Sequence, residues 1–190
     1  MTVSTAKPVQ RHLRTLDLVY IAAGAALIAV CSWISIPTAV PFTMQTFAVF
    51  LLLSLLGGKR GTLSVLVYLM LGAAGLPVFA EFTGGIGVLF GSTGGYFAGF
   101  LLLGVIYMLV TKLFGNGMAA DIAALTVGLA VCYAFGTAWF MLVYTRANGA
   151  VALGTVLGWC VFPFVLPDLV KLGLALTISR KILPLMKGAH

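Results

Sequence analysis

The chain has 190 residues, 62% of them hydrophobic and 8% charged, and a mean hydropathy of +1.15. A soluble domain carries about 25% charged residues, so the composition excludes one and indicates an all-α integral membrane protein forming a single domain, residues 1–190. The net charge of +7 does not point to nucleic acid, because the basic residues stand singly or in small groups between apolar runs, where they act as topology signals.

Lys7, Arg11 and Arg14 precede a long apolar run. That run continues too far for a signal peptide and no cleavage pattern follows it, so residues 1 to about 15 are expected to be a short basic cytoplasmic segment before a retained first span. Span one runs from about Leu16 to Ile36 and is closed by Pro37 and Pro41. It carries Ala22, Ala25, Ala26 and Ala29 at small-xxx-small spacing, which lets helices approach closely in lipid. Span two, about Phe42 to Leu56, is short and begins with the polar Thr43, Gln45 and Thr46. Gly57-Gly58-Lys59-Arg60-Gly61 is expected to be a basic turn; it lacks the first glycine of a Walker A loop, where Leu53 stands.

Span three, about Thr62 to Leu76, ends at Pro77, and residues 78–95 then crowd six glycines around the lone acid Glu81. Irregular backbone cannot face lipid, so this stretch must lie outside the bilayer or against protein or a water-filled cavity. It contains no dinucleotide fingerprint. Spans four and five run from about Gly94 to Leu113 and from about Ile122 to Tyr144; Asp121 and Arg146 beside the latter are expected to be ordinary flanking charges. Span six lies between about Leu153 and Ile182 and is interrupted by Pro163 and Pro167, which either kink one helix or start a shorter one. Cys31, Cys132 and Cys160 lie in apolar stretches without CxxC spacing and are expected to be packing residues.

Six spans put both termini on one side. The amino terminus, the second and fourth loops and the carboxyl terminus hold nearly all the basic residues, so both termini are expected in the cytoplasm. The exceptions are Arg146, on the opposite face, and Lys171, which sits within span six, three residues after Asp168 and hence on one helix face with it. At 1.5 Å per residue the two lie roughly 14 Å and 18 Å from Arg180 along the helix, near the midplane and toward the outside. An acid and a base at that depth mark a functional site, with a structural ion pair between helices as the plainer reading.

Three segments, VPFTMQTFAVFL from Val40, GLPVFAEFTGGIGVLFGSTGGYFAGF from Gly75 and LPDLVK from Leu166, resemble the BioY family, the biotin-binding substrate-specific (S) components of energy-coupling factor (ECF) vitamin transporters. The resemblance covers nearly the whole chain; Ser92 stands where many relatives have proline. It implies a six-helix S component of the bacterial cytoplasmic membrane that captures biotin from outside, partnered by a transmembrane coupling subunit and two ATPases, with no cofactor and no catalysis of its own. On this reading Asp168 accepts the N–H groups of the biotin ureido ring. Lys171 meets its carbonyl oxygen, balances the acid, or meets the carboxylate tail. Thr43, Gln45, Tyr96 and Glu81 are further candidate contacts. The resemblance also implies that Ala22, Ala25, Ala26 and Ala29 face the coupling subunit. An intramembrane hydrolase is disfavoured because His12 and His190 lie near the termini and no cysteine has a base beside it. A stand-alone proton- or ion-coupled carrier using Asp168 is the alternative.

Overall fold

The computed structural model describes residues 15–187. The basic segment with Lys7, Arg11 and Arg14, and both histidines, lie outside the described residues. Helix α1, Thr15–Trp33, is built from the first apolar run. A two-residue hairpin follows, β1 (Ser35–Ile36) against β2 (Phe42–Thr43), paired antiparallel with Ser35 opposite Thr43. Pro37 and Pro41 fall in the connection between the strands, where no ladder donor is needed.

Helices α2 (Gln45–Leu56) and α3 (Gly58–Ala73) are separated by Gly57 alone. Gly57 takes φ +81°, a left-handed conformation that glycine adopts without steric cost and that reverses the chain in one residue. The expected five-residue glycine turn is therefore corrected: residues 58–61 form the first turn of α3, with the Gly61 N–H donating to Gly57 O at 2.9 Å. The sequence misled here because two glycines and two basic residues read as a loop, whereas packing overrides that weak propensity.

The glycine-dense stretch folds into a 3-10 turn (Ala80–Phe82) and a short helix α4 (Ile86–Phe90). Its backbone is tied down from below. Ser32 Oγ donates to Val78 O at 2.6 Å, Trp33 Nε1 to Pro77 O at 2.9 Å, Gly85 N to Gly72 O at 2.7 Å, and Trp139 Nε1 to Gly91 O at 2.9 Å. Phe79 anchors the segment, fully buried between Tyr68 and Phe97.

Helices α5 (Gly94–Phe114) and α6 (Met118–Asn148) form the most extensively packed pair. Gly99 makes that approach possible: a Cβ there would lie 2.6 Å from Cys132 Sγ and 3.1 Å from its Cα. The last apolar run divides into α7 (Leu153–Cys160) and α8 (Phe162–Lys187), with Val161 at the break. Pro163 thus stands in the first turn of a new helix, where a proline's missing N–H costs least, whereas Pro167 lies inside that helix and removes one of its backbone donors.

Apart from the two-residue strands the regular structure is helical. Four stretches, α1, α5, α6 and α7–α8 taken together, are long and apolar enough to cross a membrane. At 12 and 16 residues, α2 and α3 are shorter than the roughly 20 needed for an untilted crossing. Helix α2 nevertheless occupies the centre of the molecule, packing along α8, α3 and α1, and its residues 48 to 53 are all buried.

Candidate functional site

A cavity with about 650 Å³ of empty space, counting the part open to solvent, lies between α2, α5, α6, α7 and α8. Its walls differ in kind. One carries Thr43, Gln45 and Thr46 at the start of α2 with Asp168 and Lys171 of α8; the other carries Tyr96, Phe97 and Phe100 of α5 with Leu129, Cys132 and Tyr133 of α6.

Helix α8 presents Asp168 and Lys171 three residues apart on the face that packs against α2. They are 1% and 4% exposed, so neither charge is tolerable without partners. Lys171 Nζ donates to Asp168 Oδ1 at 2.8 Å, to Thr43 O at 2.8 Å and to Thr46 Oγ1 at 3.2 Å. It also sits 4.1 Å from the centre of the Phe42 ring, in cation–π range. Thr46 Oγ1 donates to Asp168 Oδ1 at 2.8 Å and the Tyr133 hydroxyl donates to Asp168 Oδ2 at 2.6 Å. The start of α2 thus clamps the ion pair, and a phenol from the opposite wall completes it.

Tyr96, Gln45 and Thr93 add further polar groups to the lining. The Tyr96 hydroxyl lies 3.3 Å from Thr137 Oγ1 and 3.3 Å from Cys160 O, joining α5 to α6 and α7. Gln45 is 5% exposed, and its Nε2 has no hydrogen-bond partner.

Comparison with known proteins gives this arrangement a family. Residues 4–188 match the model of the BioY family. The chain belongs to the BioY family. It is 45% identical over 159 residues to the biotin transporter BioY of Thermotoga maritima, covering 83% of this chain and 89% of that one. It is 37% identical over 171 residues to a probable biotin transporter BioY of Pyrococcus horikoshii, covering 90% and 98%. A solved structure, the S-component for biotin from an ECF-type ABC transporter, superposes with a TM-score of 0.77 at 26% identity, covering 88% of this chain and 90% of that one.

Of the six BioY site candidates expected from sequence, Asp168, Lys171, Gln45, Thr43 and Tyr96 line one cavity. Thr43 contributes its carbonyl oxygen to Lys171, while its hydroxyl accepts from Gln45 N at 3.2 Å. Glu81 is a correction: it is exposed, in a left-handed conformation (φ +57°) within the 3-10 turn, and its neighbour Ala80 lines the cavity in its place. Asp121 is a second correction. It is 6% exposed, accepts from Tyr107 OH at 2.6 Å and pairs with Arg180 at 2.6 Å, so it ties α5, α6 and α8 together rather than flanking a span in solvent.

Thr46 and Tyr133 were missed as site residues. A phenol in the middle of a long apolar helix, away from the interfacial belts where tyrosines concentrate, was the available signal for Tyr133. The four alanines at small-xxx-small spacing in α1 divide: Ala25 and Ala29 are buried against the core, Ala22 and Ala26 are exposed.

Proposed function

We propose that this BioY protein captures biotin from the external side of the bacterial cytoplasmic membrane as the S component of an ECF transporter, working with a transmembrane coupling subunit and two separate ATPases. The observation that carries the reading is a buried ion pair, Asp168–Lys171, on the wall of a cavity lined by both polar and aromatic side chains. The names of its relatives, biotin transporters and an S-component for biotin, supply the ligand.

Physically, the polar wall suits the cyclic urea. Asp168 Oδ2 accepts only Tyr133 and retains capacity for a ligand N–H. In a water-poor cavity such a charge-assisted bond is about twice as strong as a neutral one. Phe97, Phe100 and Phe164 offer apolar surface to the rest of the bicyclic ring.

The proposed topology has six crossings with both termini cytoplasmic, α2 and α3 serving as short crossings buried by their neighbours. Its support is the positive-inside asymmetry together with two ion pairs that gather helix ends: Arg60 with Asp17 at 2.6 Å and Arg180 with Asp121 at 2.6 Å. The cavity is lined at the opposite end by Val40, Pro41, Ala80 and Thr93 from the external loops. In a background lacking the native cysteines, Ala39→Cys and Glu81→Cys should react with an impermeant thiol reagent in intact cells; reaction only after permeabilisation would invert the topology.

The exposed pair Ala22 and Ala26 is the proposed contact with the coupling subunit. Ala26→Trp should abolish biotin uptake by the assembled transporter while the purified chain binds biotin as before; loss of both would instead mean a folding defect.

A further inference from the structure

Resting on the biotin reading above, we propose that the carboxamide of Gln45, and not the ammonium of Lys171, is the donor that reads the ring carbonyl oxygen of the ligand, with Lys171 acting as a positioning residue for Asp168.

A donor count leads there. An ammonium has three N–H donors, and those of Lys171 go to Asp168 Oδ1, Thr43 O and Thr46 Oγ1. It can reach a ligand oxygen only by releasing one of these buried partners. The hydroxyls of Thr46 and Tyr133 donate to the carboxylate, and that of Tyr96 donates to Cys160 O. Of the donors that remain on the wall, the Thr43 and Thr93 hydroxyls and the Gln45 carboxamide, only Gln45 Nε2 is buried without any hydrogen-bond partner. Buried polar nitrogens are nearly always hydrogen-bonded, so an orphan nitrogen on a residue that lines a cavity points to an acceptor supplied from there. The other orphan among the described residues, the Tyr68 hydroxyl, lies outside the cavity lining.

Sequence position makes the donor specific. Gln45 precedes Thr46, the residue that bonds both members of the ion pair, and its backbone N–H is held by Thr43 Oγ1 at 3.2 Å. The first turn of α2 therefore places a residue with an unfilled donor on the lining of the same cavity as Asp168, whose Oδ2 still has acceptor capacity. A cyclic urea is the complement, an N–H next to a C=O. Removing the donor should weaken ligands in proportion to the acceptor strength of that carbonyl, and it should leave the fold intact because no protein group depends on the bond.

The test is Gln45→Met, close in shape but without a donor, titrated with three ligands: biotin; biotinamide, which keeps the ring and neutralises the tail; and 2-thiobiotin, whose ring oxygen is replaced by sulfur, a weaker acceptor. Biotin and biotinamide should each lose about tenfold in affinity and 2-thiobiotin less than about threefold. The melting temperature of the unliganded protein should stay the same or rise. Equal losses for all three ligands, no loss for any, or a loss for biotin spared in biotinamide would overturn the assignment, the last by moving Gln45 to the tail carboxylate. A wild-type protein that binds none of the three would overturn the biotin reading itself.

Discussion

Two acids of this chain are buried in the same way and differ in what lies beside them. Asp168 takes a hydrogen bond from Tyr133 at 2.6 Å and pairs with Lys171 at 2.8 Å; Asp121 takes one from Tyr107 at 2.6 Å and pairs with Arg180 at 2.6 Å. In both, a tyrosine from the α5–α6 pair and a base from α8 satisfy a carboxylate. The first faces a cavity and the second does not. Pairing alone is therefore no sign of function. Position on the cavity, with acceptor capacity left on Asp168, is what marks the first cluster as the proposed site, whereas the second ties α5, α6 and α8 together.

The contrast can be broken or sharpened by treating the two clusters alike. The largest difference is expected for the cations. Lys171→Ala leaves Asp168 uncompensated in a nearly dry setting, at a cost of about 3–5 kcal/mol, and should reduce biotin affinity by more than about a hundredfold. Arg180→Gln, where the arginine side chain is 38% exposed and partly screened, should lower the melting temperature modestly and leave affinity unchanged. A drop in affinity for Arg180→Gln comparable to that for Lys171→Ala would erase the distinction. A smaller effect is expected at the tyrosines. Tyr133→Phe removes a donor from the carboxylate proposed to hold the ligand and should weaken biotin about tenfold, the scale of one hydrogen bond to a charged group. Tyr107→Phe should cost stability alone; calorimetric titration of both variants decides.

The sequence made the outline of this arrangement legible. Apolar run lengths located the helices to within a few residues, and the Asp168–Lys171 spacing pointed to the proposed site, because charge inside a membrane span is expensive and must have partners. Three features were hidden for physical reasons. Gly57 reverses the chain in one residue, and the following Gly58-Lys59-Arg60-Gly61 becomes helical only because α3 packs on α2 and α1. Thr46 and Tyr133 reach Asp168 across separations of 122 and 35 residues, so no local pattern announces them. Glu81 drew notice as the one acid in a glycine-rich loop, yet the anchoring of Phe79 beneath that loop turns Ala80 toward the cavity and leaves Glu81 outside. Asp121 was read as a flanking charge because its partner Arg180 lies 59 residues away.

The most direct test of the account is a biotin titration of the purified protein in three forms: wild type, Asp168→Asn and Asp121→Asn. Tight binding by the wild type, retained in Asp121→Asn and lost by about two orders of magnitude or more in Asp168→Asn, is the predicted result. Equal affinity in Asp168→Asn and the wild type, or a loss confined to Asp121→Asn, would contradict it.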